Sequence, residues 1–492
     1  MKRASSPKKP VVFIVPPYSE EVWSVSEKVV YYSVANLGAL LRRHGHDVRV
    51  FDCQVDYFHL SDLLSAVEKH AEVAPAFFGI PVIFGSTRNA YLIANGVRRL
   101  FADTPIVMGG LPATFAYERI LKECPAVDVC VVGEGEAVAL ALLKERDWRG
   151  VPGIAYREGG RIVKNPPSAS AIDIDRLPPP DYSLFNVRNY AGLLSYETSR
   201  GCPYSCEFCL QGVKEGRRLR EKSVGKVVEE LKAASRFGWA IMIVDNDFLT
   251  DLPRAKEILR QIIKHRLNES MIFGIATRVS NFLRSTDELL DLCRRANVLG
   301  LYFGIESLAK KKRAEIGKIR DLQELKELFR LIEKKGLLYL PSYIMGFPDE
   351  GREDIDETLE QAIRLNSPMI KLNIFTPFPG TGSHEELSKQ GLIDHAVPLN
   401  SYDNVHQVFR HPLDLEAVYR DFIKRYYVRD TYLKRGGDPD ANSRMMERKY
   451  LEKIEMEKRK KMMGVDDREF VRDDGLRTAS GFGGSGTPAL WS

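Results

Sequence analysis

The sequence predicts an α/β chain built in three parts. These are an N-terminal doubly wound parallel sheet, a partial (β/α)6 barrel, and a mainly helical C-terminal region. Three observations carry this reading. Short β-rich runs alternate with helical stretches up to residue 150, a longer alternating series begins at residue 194, and strand-like runs stop after about residue 412.

The first series, residues 11–150, has strand runs at Val11–Val15, Val48–Asp52, Ala76–Ile80, Ile106–Gly110 and Val127–Gly133. Helical stretches around Val34–Arg43, Ser61–His70, Ala90–Phe101 and Phe115–Lys122 separate them. Short apolar strands between helices form a parallel sheet covered on both faces. Residues 151–193 make a connector with a small β element, GIAYREGGRIVKN, followed by Pro178–Pro180, which forbid a helix.

The second series, residues 194–381, has strand runs at Leu194–Thr198, Ala240–Val244, Met271–Ile275, Leu299–Gly304, Leu340–Gly346 and Met369–Phe375. Its first helix is capped by Ser223, ahead of Val224, Val227, Val228 and Leu231 on one face. Six such units place chemistry at the carboxyl ends of the strands. Region 382–480 reads as helical over Leu413–Leu433 and Asn442–Met463, and the chain ends are a disordered basic leader (1–10) and a flexible tail (481–492).

Composition narrows the class. With 44% hydrophobic and 28% charged residues over 492 positions, the chain is an ordinary globular protein. Its 72 basic against 67 acidic residues do not predict a nucleic-acid partner. No apolar run is long enough for membrane insertion, and Pro16-Pro17 end the short N-terminal one before any cleavage site. Seven cysteines, an odd number, make no disulfide framework and point to a reducing compartment, the cytoplasm.

Three of them stand together in TSRGCPYSCEFC, residues 198–209, directly after the first strand of the second series. Thiolates are soft ligands suited to zinc or to iron–sulfur clusters. A structural zinc site takes four protein ligands. Here no histidine lies between His70 and His265, and the next cysteine, Cys293, fits a helix face beside Leu289 and Leu292. Cys202, Cys206 and Cys209 without a fourth protein ligand therefore suggest a [4Fe-4S] cluster with one iron left open to a substrate-like molecule.

The C-x3-C-x-aromatic-C pattern, with Phe208 as the aromatic, resembles the signature of the radical S-adenosylmethionine (SAM) superfamily over about residues 194–380. The resemblance implies that SAM chelates the open iron and is cleaved to a 5′-deoxyadenosyl radical, with an external reductase, flavodoxin or ferredoxin as electron donor. Polar residues stand where barrel logic expects them: Asp245, Asn246 and Asp247 after the second strand, Arg278 after the third, Glu306 and Ser307 after the fourth, Gly346 at the end of the fifth and Pro377 after the sixth. By the resemblance these positions, with Phe208, bind SAM, although any one of them can instead cap the next helix.

In the first series the segments after strands carry Pro17, Gly85-Ser86-Thr87, Gly109-Gly110 and Gly133-Glu134-Gly135-Glu136. Ligands of doubly wound sheets bind at such strand ends, and the absence of a GxGxxG fingerprint argues against a dinucleotide. VFIVPP, GHDVRVFD, MGGLPATF and VVGEGE resemble the N-terminal domain of the cobalamin-binding radical SAM class, which implies a cobalamin site at Pro17, Ser86, Thr87, Gly109, Gly110 and Gly133–Glu136. The D-x-H-x-x-G motif that supplies a lower cobalt ligand in many corrinoid domains is absent. Cobalamin is then bound without a histidine, or the domain has lost it.

The resemblance implies C-methylation of an unactivated carbon, using the radical and methylcobalamin. A radical cyclisation or rearrangement is the alternative on the same fold, and a non-enzymatic corrinoid or iron–sulfur sensor a third reading. Region 382–480 is large enough to shape a docking surface, which leans the substrate toward a protein or peptide, while Lys458–Lys461 reads as a solvated helix face.

Overall fold

The computed structural model describes residues 9–18, 29–57, 59–70, 73–145, 147–167, 172–214, 216–283, 286–367 and 369–427. All but the last two residues of the leader, the helix at Asn442–Met463 with Lys458–Lys461, and the tail at 481–492 lie outside them.

Strands β1 (Val11–Val15), β2 (Val48–Asp52), β3 (Phe77–Pro81), β4 (Ile106–Gly109) and β5 (Val129–Val131) pair in parallel in the order 2-1-3-4-5. Helices α1 (Tyr32–Arg43), α2 (Leu60–His70), α3 (Thr87–Leu100), α4 (Leu111–Phe115), α5 (Tyr117–Glu123) and α6 (Gly135–Lys144) surround them. Every residue of β1 is buried, as a central strand covered on both faces must be. Helix α6 has no counterpart in the sequence reading, because Ala137–Leu143 is apolar throughout and shows no helical period. The hairpin of the connector, β6 (Ile154–Glu158) and β7 (Arg161–Lys164), extends this same sheet, with β6 antiparallel to β5.

Strand β8 (Leu193–Tyr196) opens the second part, and the two-residue β9 (Ser199–Arg200) then pairs antiparallel with β10 (Arg220–Glu221). Strands β11 (Ala240–Ile243), β12 (Ile272–Arg278), β13 (Val298–Glu306), β14 (Leu338–Met345) and β15 (Lys371–Ile374) continue from β8 as one six-stranded parallel sheet in chain order. Between them run α7 (Leu210–Lys214), α8 (Val224–Ala234), α9 (Leu252–Lys264), α10 (Val279–Phe282), α11 (Thr286–Arg295), α12 (Lys310–Ile316), α13 (Leu322–Lys334) and α14 (Arg352–Leu365). Ser223 caps α8 as expected, its hydroxyl accepting the Lys226 N–H. Along β12, Phe273, Ile275 and Thr277 are buried, while Gly274, Ala276 and Arg278 line the other face, half-exposed.

Helices α15 (Gly382–Lys389) and α16 (Leu415–Tyr427) follow, and the chain between them folds over the N-terminal sheet. Phe84 lies 5.0 Å from the Phe378 ring and 5.9 Å from Tyr402, and Arg119 Nη2 donates to the Val397 carbonyl at 2.7 Å. A buried ion pair within the barrel also reaches the N-terminal domain, through Tyr32 of α1. Lys222 Nζ donates to Glu230 Oε2 at 2.6 Å and to the Tyr32 hydroxyl at 2.9 Å, and Tyr196 donates to Glu230 at 2.7 Å.

Candidate functional site

The loop that follows β9 carries Cys202, Cys206 and Cys209, all free thiols and half-buried. Backbone N–H groups reach their sulfurs, from Tyr204 to Cys202 and from Gln211 and Gly212 to Cys209. Burial nonetheless pushes both thiols above their ordinary range, so binding a metal centre releases their protons. Among the described residues, no three His, Cys, Asp or Glu side chains converge on a single metal-ion position. Three half-buried thiols on one loop, two of them with backbone N–H donors at the sulfur, fit a thiolate-ligated iron–sulfur cluster.

The barrel residues around this loop divide into two sets. Asp245 is buried and closed on itself: its carboxylate accepts the Thr198 and Ser199 N–H groups at 2.6 and 3.1 Å and both hydroxyls. Asp247 likewise accepts from Thr277 Oγ1 and Asn281 Nδ2, both at 2.7 Å, and from the Leu249 N–H. Burial raises both carboxyls above their ordinary range against these bonds. These two acids hold the ends of β8, β11 and β12 together. Asn246 between them is half-buried and makes no hydrogen bond among the described residues.

Glu306 ends β13 at φ +75°, where the register with β14 shifts, and it pairs with Lys318. A non-glycine residue at positive φ beside a bulge is a re-aimed side chain of the kind found at functional sites. Ser307 Oγ lies 3.1 Å from Thr358 Oγ1 and 3.5 Å from Glu350. Glu350 accepts the Gly346 and Phe347 N–H groups at 2.9 and 3.1 Å, and burial pushes its carboxyl up to about 7. Phe208 meets Phe347 edge to face at 6.0 Å, and Pro377 is buried ahead of Phe378.

The N-terminal candidates also divide. Ser86 and Thr87 are buried, and their hydroxyls donate to the carbonyls of Ile83 and Phe84, so these side chains close a turn rather than face a ligand. The buried Pro17 offers its carbonyl to Asn89. Gly110 has φ +122°, and a Cβ there would stand 2.1 Å from the Val82 carbonyl, so no other residue fits. Gly109 and Gly133 are different. The nearest atom to a Cβ at Gly109 is 3.9 Å away and none lies within 4 Å at Gly133, which leaves an open cradle at the ends of β4 and β5. Unfilled space at two glycines on neighbouring strand ends lets a bulky ligand such as a corrin approach the backbone.

Gly135 begins α6, and the two glutamates beside it reach across to the barrel. Arg200, two residues ahead of Cys202, donates to Glu134 and Glu136 at 2.6 Å each and to Glu197 at 2.5 Å. Arg220 adds a second contact to Glu134 at 2.7 Å. Burial pushes the Glu134 carboxyl up, but the hydrogen bond from Arg220 and the Arg200 charge carry it below its ordinary value. Both glutamates thus anchor the cysteine loop instead of lining the cradle. The sequence reading missed Arg200, because its carboxylate partners lie more than sixty residues away in the chain.

With Phe84 on Phe378 and Glu134 and Glu136 on Arg200, the carboxyl ends of the two parallel sheets face each other across the cysteine loop.

Known proteins match both parts. The family profile of the radical SAM superfamily matches residues 196–362, and that of the B12 binding domain matches residues 25–143. An uncharacterized methyltransferase of Pyrococcus horikoshii is 30% identical over 387 residues, 75% of this chain and 81% of that protein. The anaerobic magnesium-protoporphyrin IX monomethyl ester cyclase of Cereibacter sphaeroides is 28% identical over 396 residues, 77% of this chain but only 64% of the cyclase. In fold, the chain resembles the radical SAM methyltransferase TsrM of Kitasatospora setae, solved with cobalamin and a [4Fe-4S] cluster. The TM-score is 0.65 at 18% identity, covering 85% of this chain and 88% of that one. Among the described residues no helix is long and apolar enough to cross a membrane.

Proposed function

The chain belongs to the cobalamin-dependent radical SAM family, and from that premise we propose that it methylates an unactivated carbon of a small molecule. It is an enzyme of methyltransferase type whose cofactors are a [4Fe-4S] cluster, SAM and cobalamin, and the family requires an external reductant. The observation that carries the proposal is the apposition just described. Gly133 stands next to Glu134, and Arg200 two residues ahead of Cys202, so the Glu134–Arg200 pair links the end of β5 to the cysteine loop.

Cys202, Cys206 and Cys209 would hold the cluster, with SAM beside Asn246, Glu306 and Ser307 and cobalamin over Gly109 and Gly133. Together these groups supply hydrogen abstraction and a transferable methyl group. The chain's own residues position them. Glu134 and Glu136 fix the cysteine loop through Arg200, Asp245 and Asp247 brace the strand ends behind it, and the Phe84–Phe378–Tyr402 cluster closes one side against water.

The expected protein or peptide substrate finds no support among the described residues. The described part of region 382–480 packs onto the two domains through Val397, Tyr402 and α16 instead of shaping a free surface. A small-molecule substrate is in keeping with the relative named for a porphyrin ester. That same relative favours one second reading, a radical cyclisation.

Anaerobic incubation of the reconstituted protein with SAM, a reductant, methylcobalamin and a panel of candidate small-molecule acceptors, followed by product mass, separates the readings. Release of 5′-deoxyadenosine with a product one methylene heavier is expected. A product with no added carbon selects cyclisation, and no 5′-deoxyadenosine from a fully loaded sample overturns the enzyme reading.

A further inference from the structure

Arg278 is the last residue of β12 and pairs in register with Gly304 of β13, so a central strand fixes its backbone. Its side chain is held at three points. Nε donates to Ser280 Oγ at 2.9 Å, the guanidinium carbon sits 4.6 Å from the centre of the Tyr204 ring, and Nη1 lies 3.9 Å from Cys206 Sγ. Tyr204 belongs to the cysteine loop, and it is itself tied down. Its hydroxyl donates to Asn281 Oδ1 at 2.9 Å, and Asn281 Nδ2 donates to the buried Asp247 carboxylate at 2.7 Å. Asp247 therefore holds Asn281, Asn281 holds the tyrosine, and the tyrosine holds the guanidinium against a sulfur. Among the described residues no carboxylate pairs with Arg278.

A guanidinium keeps its charge at every accessible pH, and charge and hydrogen bonds at cluster sulfurs set a cluster's potential. Adding one electron makes the thiolate shell more negative, so a fixed cation at Cys206 stabilises the reduced form more than the oxidised one. We propose that Arg278 is a positioning residue that raises the reduction potential of the cluster through Cys206, bringing it within reach of the one-electron external donor. This goes beyond the SAM contact expected from the sequence, and it rests on the reading that the three cysteines carry a cluster.

The test uses the full chain, reconstituted anaerobically, in a redox titration followed by electron paramagnetic resonance without SAM. Arg278→Gln should keep its iron but lose about tenfold in relative stability of the reduced cluster, a downward shift of about 59 mV for one electron. Arg278→Lys keeps the charge without the planar stack and should shift in the same direction by less. A Gln variant with full iron and an unmoved potential overturns the proposal. So does a variant that only weakens SAM binding, which would return Arg278 to the SAM site. If the Gln variant loses iron, the Lys variant decides by the same criterion. A wild-type protein that assembles no cluster overturns this proposal together with the reading beneath it.

Discussion

Arg200 and Glu136 meet at 2.6 Å across the two domains, with side chains only 10% and 6% exposed. Asn36 donates to the same Glu136 oxygen at 3.1 Å, so that one oxygen serves both partners. Removing one partner of a buried pair leaves the other charged and desolvated, which costs about 3–5 kcal/mol. Arg200→Gln should lower the unfolding free energy by that amount in denaturant titrations. Glu134→Gln leaves Arg200 with Glu136 and Glu197, so it should cost less. An Arg200→Gln protein as stable as the wild type would show that the clamp contributes nothing.

The cysteines should separate cleanly by chemistry. Cys202→Ala, Cys206→Ala and Cys209→Ala should each reduce bound iron and sulfide to background and abolish 5′-deoxyadenosine formation. Cys293 is buried and its thiol is pushed up to about 12, so it stays protonated in the core, and Cys293→Ala should retain full iron. Iron loss in Cys293→Ala, or retention in any of the three loop variants, contradicts the assignment.

Much of this was legible in the chain because the signals were local. All six barrel strands alternate or run apolar over four to nine residues, and each lies within a few residues of its sequence reading. The cysteine loop announces itself by spacing. What stayed hidden depends on partners far away in sequence. Asp245 reads as a ligand contact until Thr198 and Ser199, almost fifty residues earlier, are seen to occupy it. Ser86 and Thr87 look like ligand hydroxyls because nothing in a sequence says that their carbonyl partners lie one turn back. Glu134 and Glu136 read as cobalamin contacts, whereas in the fold their side chains pair with Arg200, more than sixty residues on.

Gly109 offers a direct test of the cradle. It ends β4 without positive φ, and a Cβ there meets only Val131, at 3.9 Å, an ordinary contact. Gly109→Val should therefore fold normally, with a thermal midpoint within a few degrees of wild type. Its branched side chain would fill the space above the strand end. Cobalamin retention, measured by visible absorbance after desalting, should fall at least tenfold. Full retention would move the corrinoid site away from β4.

Asp52, the last residue of β2, is 2% exposed and accepts hydrogen bonds from the Gln54 N–H at 3.0 Å and from the Tyr190 hydroxyl. Burial outweighs these bonds and pushes its carboxyl from 3.8 up to about 6. The sign follows from proton counting. Between those two values the folded protein holds a proton that the unfolded chain has already released, so stability falls as pH rises. The contribution is fully present below 3.8 and is lost as pH passes through about 6, a change of roughly 3 kcal/mol at ~1.4 kcal/mol per pH unit. Asp52→Asn keeps the shape and cannot titrate. Its unfolding free energy, measured against wild type at matched pH, should therefore gain by up to that amount across this window, and a constant difference would show that Asp52 titrates normally in the fold.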